Sequence, residues 1–322
     1  MTTPIRIELP TQFQVGSVNA YLFLTPEPVL IDCGLQSEAS WQALQTGLAQ
    51  HGLRVADLHR VIITHAHVDH YGQAAMIAAN SDAMIHCSTL AYDWLADGET
   101  MWRKRIAYYE QEFLRQVAMP AAGIEMVLAY MTHTAQTAVS VPVDRLITFQ
   151  PDDKLTWGGL DWQSIPTPGH ASHQTVFYQS ESRQLLSADM LLARTPTPVV
   201  ERPLSGQSRI PALPLFLNSL SQMASLSIEM VYPGHGRPFA GHTQVIQQQL
   251  ARIQQRKEET FQLVKTGFHT VAALVGKMYG SSSPQLQFAG LWMLVGYLDL
   301  LQAEGRVLQT ETDGIWHYAS SD

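Results

Sequence analysis

The sequence predicts an α/β layered core followed by a helical tail that ends in a β-hairpin. Three observations carry that prediction. Short β-like runs with turn signals between them recur between residues 18 and 87 and again between 146 and 187. Helix-patterned stretches separate groups of strands instead of alternating with them one for one, which favours stacked layers over a doubly wound sheet. Near residue 240 the composition shifts to three helical segments and a last pair of strands.

Residues 18–24 and 28–32 read as paired strands, the second ending at Asp32-Cys33-Gly34. An amphipathic helix is predicted over 37–51. Ser37 is its N-cap, and Ser40 stands where a Glu or Gln would complete a capping box. The β-branched run 60–64 is a buried strand that delivers the chain into His65, with a helix from about Gly72 to Ala79 and a further strand over 83–87. Residues 88–140 differ in kind: they are helical by pattern and rich in aromatic and Met residues, among them Trp94, Trp102, Tyr109 and Tyr130. Short strands then return at 146–149, 154–157, 160–166, 175–179 and 183–187, with Gly158-Gly159 as a hairpin turn. Helices over 243–266, 269–279 and 288–304 and a hairpin around Asp313-Gly314 give the tail a winged-helix-like pattern. The expected division is residues 1–240 as one domain, with 88–140 inserted as a lid, and 241–322 as a second.

A hydrophobic share of 46% supports a large core and excludes global disorder. The net charge of -8 argues against a nucleic-acid-binding chain, whose usual footprint is a basic stripe. Cys33 and Cys87 cannot form a disulfide framework and lack C-x-x-C spacing. Neither a signal-peptide pattern nor an unbroken run of 18 apolar residues occurs, so a cytoplasmic chain without a membrane span is expected.

The chemistry is concentrated in Thr64-His65-Ala66-His67-Val68-Asp69-His70, directly after a predicted buried strand. Imidazole and carboxylate donors at this density suit zinc or another first-row divalent metal, and one short loop of this kind can feed two adjacent metal positions. Three further donors follow strand-like runs beside small or turn residues: His170 in Thr167-Pro168-Gly169-His170, Asp189 in Ser187-Ala188-Asp189-Met190-Leu191, and His235 in Tyr232-Pro233-Gly234-His235-Gly236. The histidines at 51, 59, 86, 242, 269 and 317 lack such a context and are expected to be structural or at the surface, while His133 and His173 could support the site or touch substrate. Cys33 is expected to be a buried thiol and not a nucleophile.

Over roughly residues 10–240 these motifs, in this order, resemble the metallo-β-lactamase superfamily. The resemblance implies an αββα four-layer sandwich with metals at one edge. It assigns His65, His67 and His170 to one metal, Asp69, His70 and His235 to the other, and Asp189 as a bridge, with Asp69 also steering or accepting a proton. Two divalent ions, zinc first with iron or manganese as alternatives, would hold a hydroxide that attacks the substrate. The sequence departs from the family at His173-Gln174, where Gly-His is frequent, and at Ala188, where Gly is preferred before the bridging aspartate. If that position needs a positive φ, alanine there is strained. The tail resembles the winged-helix-like extension of a branch with ribonuclease-like and thioesterase-like members.

The expected reaction is cleavage of a small-molecule ester, thioester or lactone. Its competitor is phosphodiester hydrolysis of single-stranded RNA. Residues 288–305 of the tail hold Asp299 and Glu304 and no Lys or Arg, which disfavours DNA as a partner and favours packing on the catalytic domain or in a homodimer. The basic run Arg103-Lys104-Arg105 could touch phosphate, but a solvated helix face is the favoured reading. Segment 201–217, rich in Pro and Leu, is expected to border the cleft, and over 190–220 Arg194, Arg202 and Arg209 stand against Glu201.

Overall fold

Strand residues alternate between two apolar environments, and that alternation builds the layers. The computed structural model describes residues 3–200 and 203–321, so Glu201 and Arg202 lie outside the described residues. A first sheet contains, in spatial order, β1 (Ile5–Leu9), β2 (Val18–Phe23), β3 (Val29–Ile31), β4 (Arg60–Ile63), β5 (Met84–Ser88) and β6 (Leu146–Phe149). β1 to β3 are antiparallel neighbours, and β3 to β6 run parallel. The second sheet is made of β7 (Lys154–Trp157), β8 (Leu160–Pro166), β9 (Thr175–Gln179), β10 (Gln184–Ala188) and β11 (Met230–Pro233), ordered 11-10-9-8-7. Only β10 and β11 pair in parallel there.

Tyr21, Phe23, Ile31, Ile62 and Phe149 of the first sheet pack against Trp157, Trp162, Phe177, Leu186 and Tyr232 of the second. Trp157 and Trp162 stack with ring centroids 5.2 Å apart, and the ring of Phe23 lies edge-on to both. The alternate residues Ala20, Leu22, Leu30, Val61 and Ile63 join a separate core with Leu44, Leu48 and Ile77 of the helices Glu38–Ala49 and Ala74–Asn80. Central strands are therefore apolar on both faces, as strands covered on both sides must be. The result is the αββα sandwich.

Two elements escape the sequence pattern. β1 carries Arg6 and Glu8, which pair with each other at 2.9 Å, so its charged residues mask a short edge strand. The helix Ala212–Ala224 follows Pro211 and contains Pro214. That second proline falls within the first turn, where an amide N–H has no intrahelical acceptor to lose.

The insertion comprises the helices Tyr92–Ala96, Gly98–Tyr108 and Ala121–Ala135, with a π-helical turn at Tyr109–Phe113 and a short helix Leu114–Gln116. The tail comprises the helices His242–Lys265, Val271–Tyr279 and Pro284–Ala303 and a hairpin of β12 (Val307–Thr312) and β13 (Ile315–Ser320). Its last helix starts four residues before the expected position, capped by Ser283 with Pro284 in its first turn. Insertion and tail meet in an aromatic seam. Phe113 stacks on Trp292 at 4.1 Å, and Tyr109 contacts both Phe288 and Trp292. Asp299 on the tail accepts two hydrogen bonds from Arg209, at 2.8 and 2.5 Å.

The stretch Leu286–Ala303, with mean hydropathy 1.2, is long and apolar enough to cross a membrane by length and composition, although polar residues interrupt its apolar run. Half of it is buried inside the fold, and Leu291, Trp292, Leu294 and Leu298 belong to the same core as the insertion. Core packing accounts for its apolarity.

Candidate metal centre

Strand ends deliver every donor to one edge of the sandwich. β4 leads into His65, β8 into Pro168-Gly169-His170, β10 into Asp189 and β11 into His235. Backbone bonds hold these ends together across the sheets. The Thr175 N–H donates to Thr64 O at 2.9 Å, and the Asn19 N–H donates to Gly234 O at 2.7 Å. The helix after the first loop begins at Val68, earlier than expected, so Asp69 and His70 lie within its single turn.

All seven sequence-predicted residues converge. Donor atoms of His65, His67, His170 and Asp189 lie within 4.8 Å of one another, and those of Asp69, His70 and His235 form a second such group. Asp189 stands between the groups. One carboxylate oxygen lies 3.5 Å from His70 Nε2, and the other lies 3.4 Å from Nε2 of both His170 and His235. His235 Nε2 is also 3.4 Å from Asp69. A Cβ at Gly234 would overlap the Asp189 carboxylate, so the motif requires glycine for contact and not for flexibility.

The outer nitrogens are held by neighbours. His70 Nδ1 meets Asp32 at 2.7 Å, His170 Nδ1 meets Pro198 O at 2.7 Å, and His235 Nδ1 meets Ser17 O at 2.9 Å. Each contact fixes the imidazole so that Nε2 faces the cluster. Asp32 does more than orient one ring. It also accepts from the Thr64 N–H and hydroxyl, both at 2.8 Å, and that hydroxyl lies 2.9 Å from His65 Nδ1. No sequence motif singles out Asp32: it follows β3, and the parallel pairing of β3 with β4 brings it to the His loop.

Charge and burial together test whether metal fits. His65 Nε2 is buried without a hydrogen-bond partner, a costly state for a polar atom unless a ligand takes it up. Burial, aided by the nearby His70, holds His65 well below the usual histidine range, so it is neutral as a ligand must be. Despite burial, the surrounding carboxylates of Asp189, Asp32 and Asp69 raise His70, and Asp189 and Asp69 raise His235 to about 10. Three buried carboxylates thus call for positive charge at this edge, and divalent ions meet that call. The donor set fits a pair of divalent metals.

Several expectations resolve locally. His173 is buried, and its Nδ1 accepts from the Ala66 N–H at 3.2 Å, so it braces the ligand loop. Ala188 has φ +43°, the strained conformation anticipated for a position where glycine is preferred. His133 is exposed on its helix. Cys33 is fully buried, and burial raises its thiol well above the usual range.

A cleft of about 440 Å³ opens over the cluster. His67, Asp69, His170, Asp189 and His235 form its floor. Trp102, Arg105, Tyr130 and Met131 of the insertion and Leu286 and Phe288 of the tail form its walls, with Pro196, Pro198 and Val200 beside them. Arg105 therefore does not belong to a solvated face, in contrast to Arg103 and Lys104, which are exposed.

A two-sheet sandwich carrying a paired His/Asp cluster under a cleft defines a metal-dependent hydrolase. The model of the metallo-beta-lactamase superfamily matches residues 14–235, and the chain belongs to that superfamily. It is 26% identical over 308 residues to "Probable metallo-hydrolase YqjP" of Bacillus subtilis, covering 94% of both chains. It is 24% identical over 252 residues to "Atrochrysone carboxyl ACP thioesterase" of Aspergillus fumigatus, covering 78% of this chain and 60% of that one. Among solved structures, a metallo-beta-lactamase family protein of Thermus thermophilus superimposes with a TM-score of 0.80 at 25% identity, over 98% of each chain. A beta-lactamase domain protein of Burkholderia ambifaria superimposes with a TM-score of 0.83 at 23% identity, over 98% of this chain and 92% of that one.

Proposed function

We propose that this hydrolase cleaves an ester, thioester or lactone of a small acyl compound. In this reading His65, His67 and His170 hold one divalent metal, Asp69, His70 and His235 hold the second, and Asp189 is shared. Zinc is the first candidate ion, and the imidazole and carboxylate donors, without thiolate, suit iron and manganese as well. When bound, such a pair polarises the scissile bond and makes water nucleophilic near neutral pH.

The observation that carries the reading is the lining of the cleft. Aromatic, Met, Pro and Val side chains enclose the donor cluster, a surface suited to an acyl chain. In this reading Asp69, on the cleft floor and 3.4 Å from His235 Nε2, is the residue that steers or takes up a proton. The thioesterase named among the relatives supports the same reaction class. The phosphodiester reading has one observation in its favour, the cation Arg105. Against it, Arg103 and Lys104 do not line the cleft, and several phosphates would need several cations.

One metal-loaded preparation assayed on medium-chain acyl esters and thioesters, lactones, bis-p-nitrophenyl phosphate and single-stranded RNA tests the reading. The expected kcat/KM for an acyl substrate exceeds that for any phosphodiester by at least roughly tenfold, about 1.4 kcal/mol of transition-state preference. Equal or faster RNA cleavage, lost together with metal in Asp189→Ala, would overturn it.

A further inference from the structure

Arg105 is 3% exposed, yet it lines the cleft, and it is the only Lys or Arg among the described lining residues. Its guanidinium lies over the Trp102 ring at 5.0 Å and the Tyr109 ring at 5.5 Å, and its buried Nε has no hydrogen-bond partner. Among the described residues it makes no ion pair. A buried cation is normally paired, because leaving it unpaired forfeits hydration without a return. Aromatic faces offset part of that cost but cannot use the in-plane N–H fork, which matches a carboxylate or a phosphate.

We propose that Arg105 seats one anionic group of the substrate, a carboxylate or a phosphate, on the wall of the cleft above the metal-binding floor. The substrate is then an acyl compound with a charged end, and the apolar walls take the chain between the charge and the scissile bond. A single cation set among aromatic rings suits one anionic group and not a polyanion. The inference rests on the acyl-hydrolase reading for its substrate, but not for the seat itself, and the test separates the two.

The seat is read by calorimetric titration of the metal-free wild type, Arg105→Gln and Arg105→Lys with hexanoate and with phenyl phosphate. Omitting metal keeps the anions from binding to it. At least tenfold weaker binding of either anion to Arg105→Gln, with partial recovery in Arg105→Lys, is expected, and the two ligands distinguish the two anion sources. Thermal melting supplies the folding control. If Arg105 serves a ligand, Arg105→Gln melts within a few degrees of wild type or above it; if its role is only to stack on Trp102 and Tyr109, the variant melts lower and its anion affinity is unchanged. Unchanged affinity for both anions overturns the proposal. The reaction is read separately, on the metal-loaded enzyme, with the glutaryl and valeryl thioesters of N-acetylcysteamine and with valeryl pantetheine and its 4′-phosphate. A rise in KM confined to the anionic member of a pair in Arg105→Gln, with kcat little changed, supports the seat in catalysis. Anion binding without cleavage of any of these thioesters, or of the esters and lactones of the first panel, leaves the seat standing and refutes the acyl-hydrolase reading.

Discussion

Asp32 is the residue on which the geometry of the metal centre turns. It reaches His70 directly and His65 through the Thr64 hydroxyl, so one carboxylate orients a ring in each donor group. Its φ of +56° is a conformation that Asn also tolerates, so Asp32→Asn preserves the backbone while weakening both contacts. We expect this variant to fold normally and to bind metal about 10–100-fold more weakly. Metal-competition titration beside circular dichroism checks it, and an affinity equal to wild type would show that Asp32 only fills space. Cys33 illustrates the opposite case. Its Sγ contacts His70 O at 3.3 Å and its thiol is held protonated by burial, so it supports the loop without chemistry of its own.

Among the elements, the insertion and the last tail helix form one unit through the seam of Phe113 on Trp292 and Tyr109 on Phe288. Trp292 is 2% exposed, and Trp292→Ala is expected to cost about 3–5 kcal/mol in chemical denaturation, the range for truncating a large buried aromatic. Because the seam stands beside Phe288 in the cleft wall, the same variant should raise KM more than it lowers kcat. A cost under about 1 kcal/mol would mean that the two elements are not coupled. Strand β5 gives a second prediction. Burial, with Arg60 nearby, pushes His86 down to about 4. The unfolded chain takes up a proton near the ordinary value of 6.5, while the folded chain resists until about 4. Stability contributed by neutral His86 is therefore present above pH 6.5 and declines as pH falls toward 4. His86→Gln should flatten that part of the stability–pH curve, and an unchanged slope across the window would refute the assignment.

These elements also show what was legible in the sequence. Strands β2 to β5 announced themselves as short β-like runs, β4 by its β-branched residues, and the hairpin at Asp313-Gly314 by its turn chemistry, since both residues adopt the positive φ that the turn requires. The loop His65–His70 was legible from its density of His and Asp after a buried strand, His170, Asp189 and His235 from their places beside turn residues after strand-like runs, and their grouping from the family resemblance. β1 and the helix Ala212–Ala224 were not, because charges on an edge strand and prolines in a first turn imitate loops. Arg105 was misread because its burial comes from Trp102, Tyr109 and the cleft around it, which nothing in the local charge run records.

The whole molecule assembles its cleft from regions distant in sequence: the sheet edge supplies the donors, the insertion one wall and the tail another, with residues 13–15 and 195–200 beside them. Neither donor group is complete within one segment, because His170, Asp189 and His235 arrive from the second sheet while the His loop arrives from the first. The donor groups exist only in the closed sandwich, and an ion that binds them is expected to stabilise it by mass action. A dinuclear centre is tested most directly by elemental analysis of the full chain after anaerobic metal loading and desalting. Two equivalents per chain are expected; one equivalent or fewer in the loaded wild type would rule out a paired-metal site.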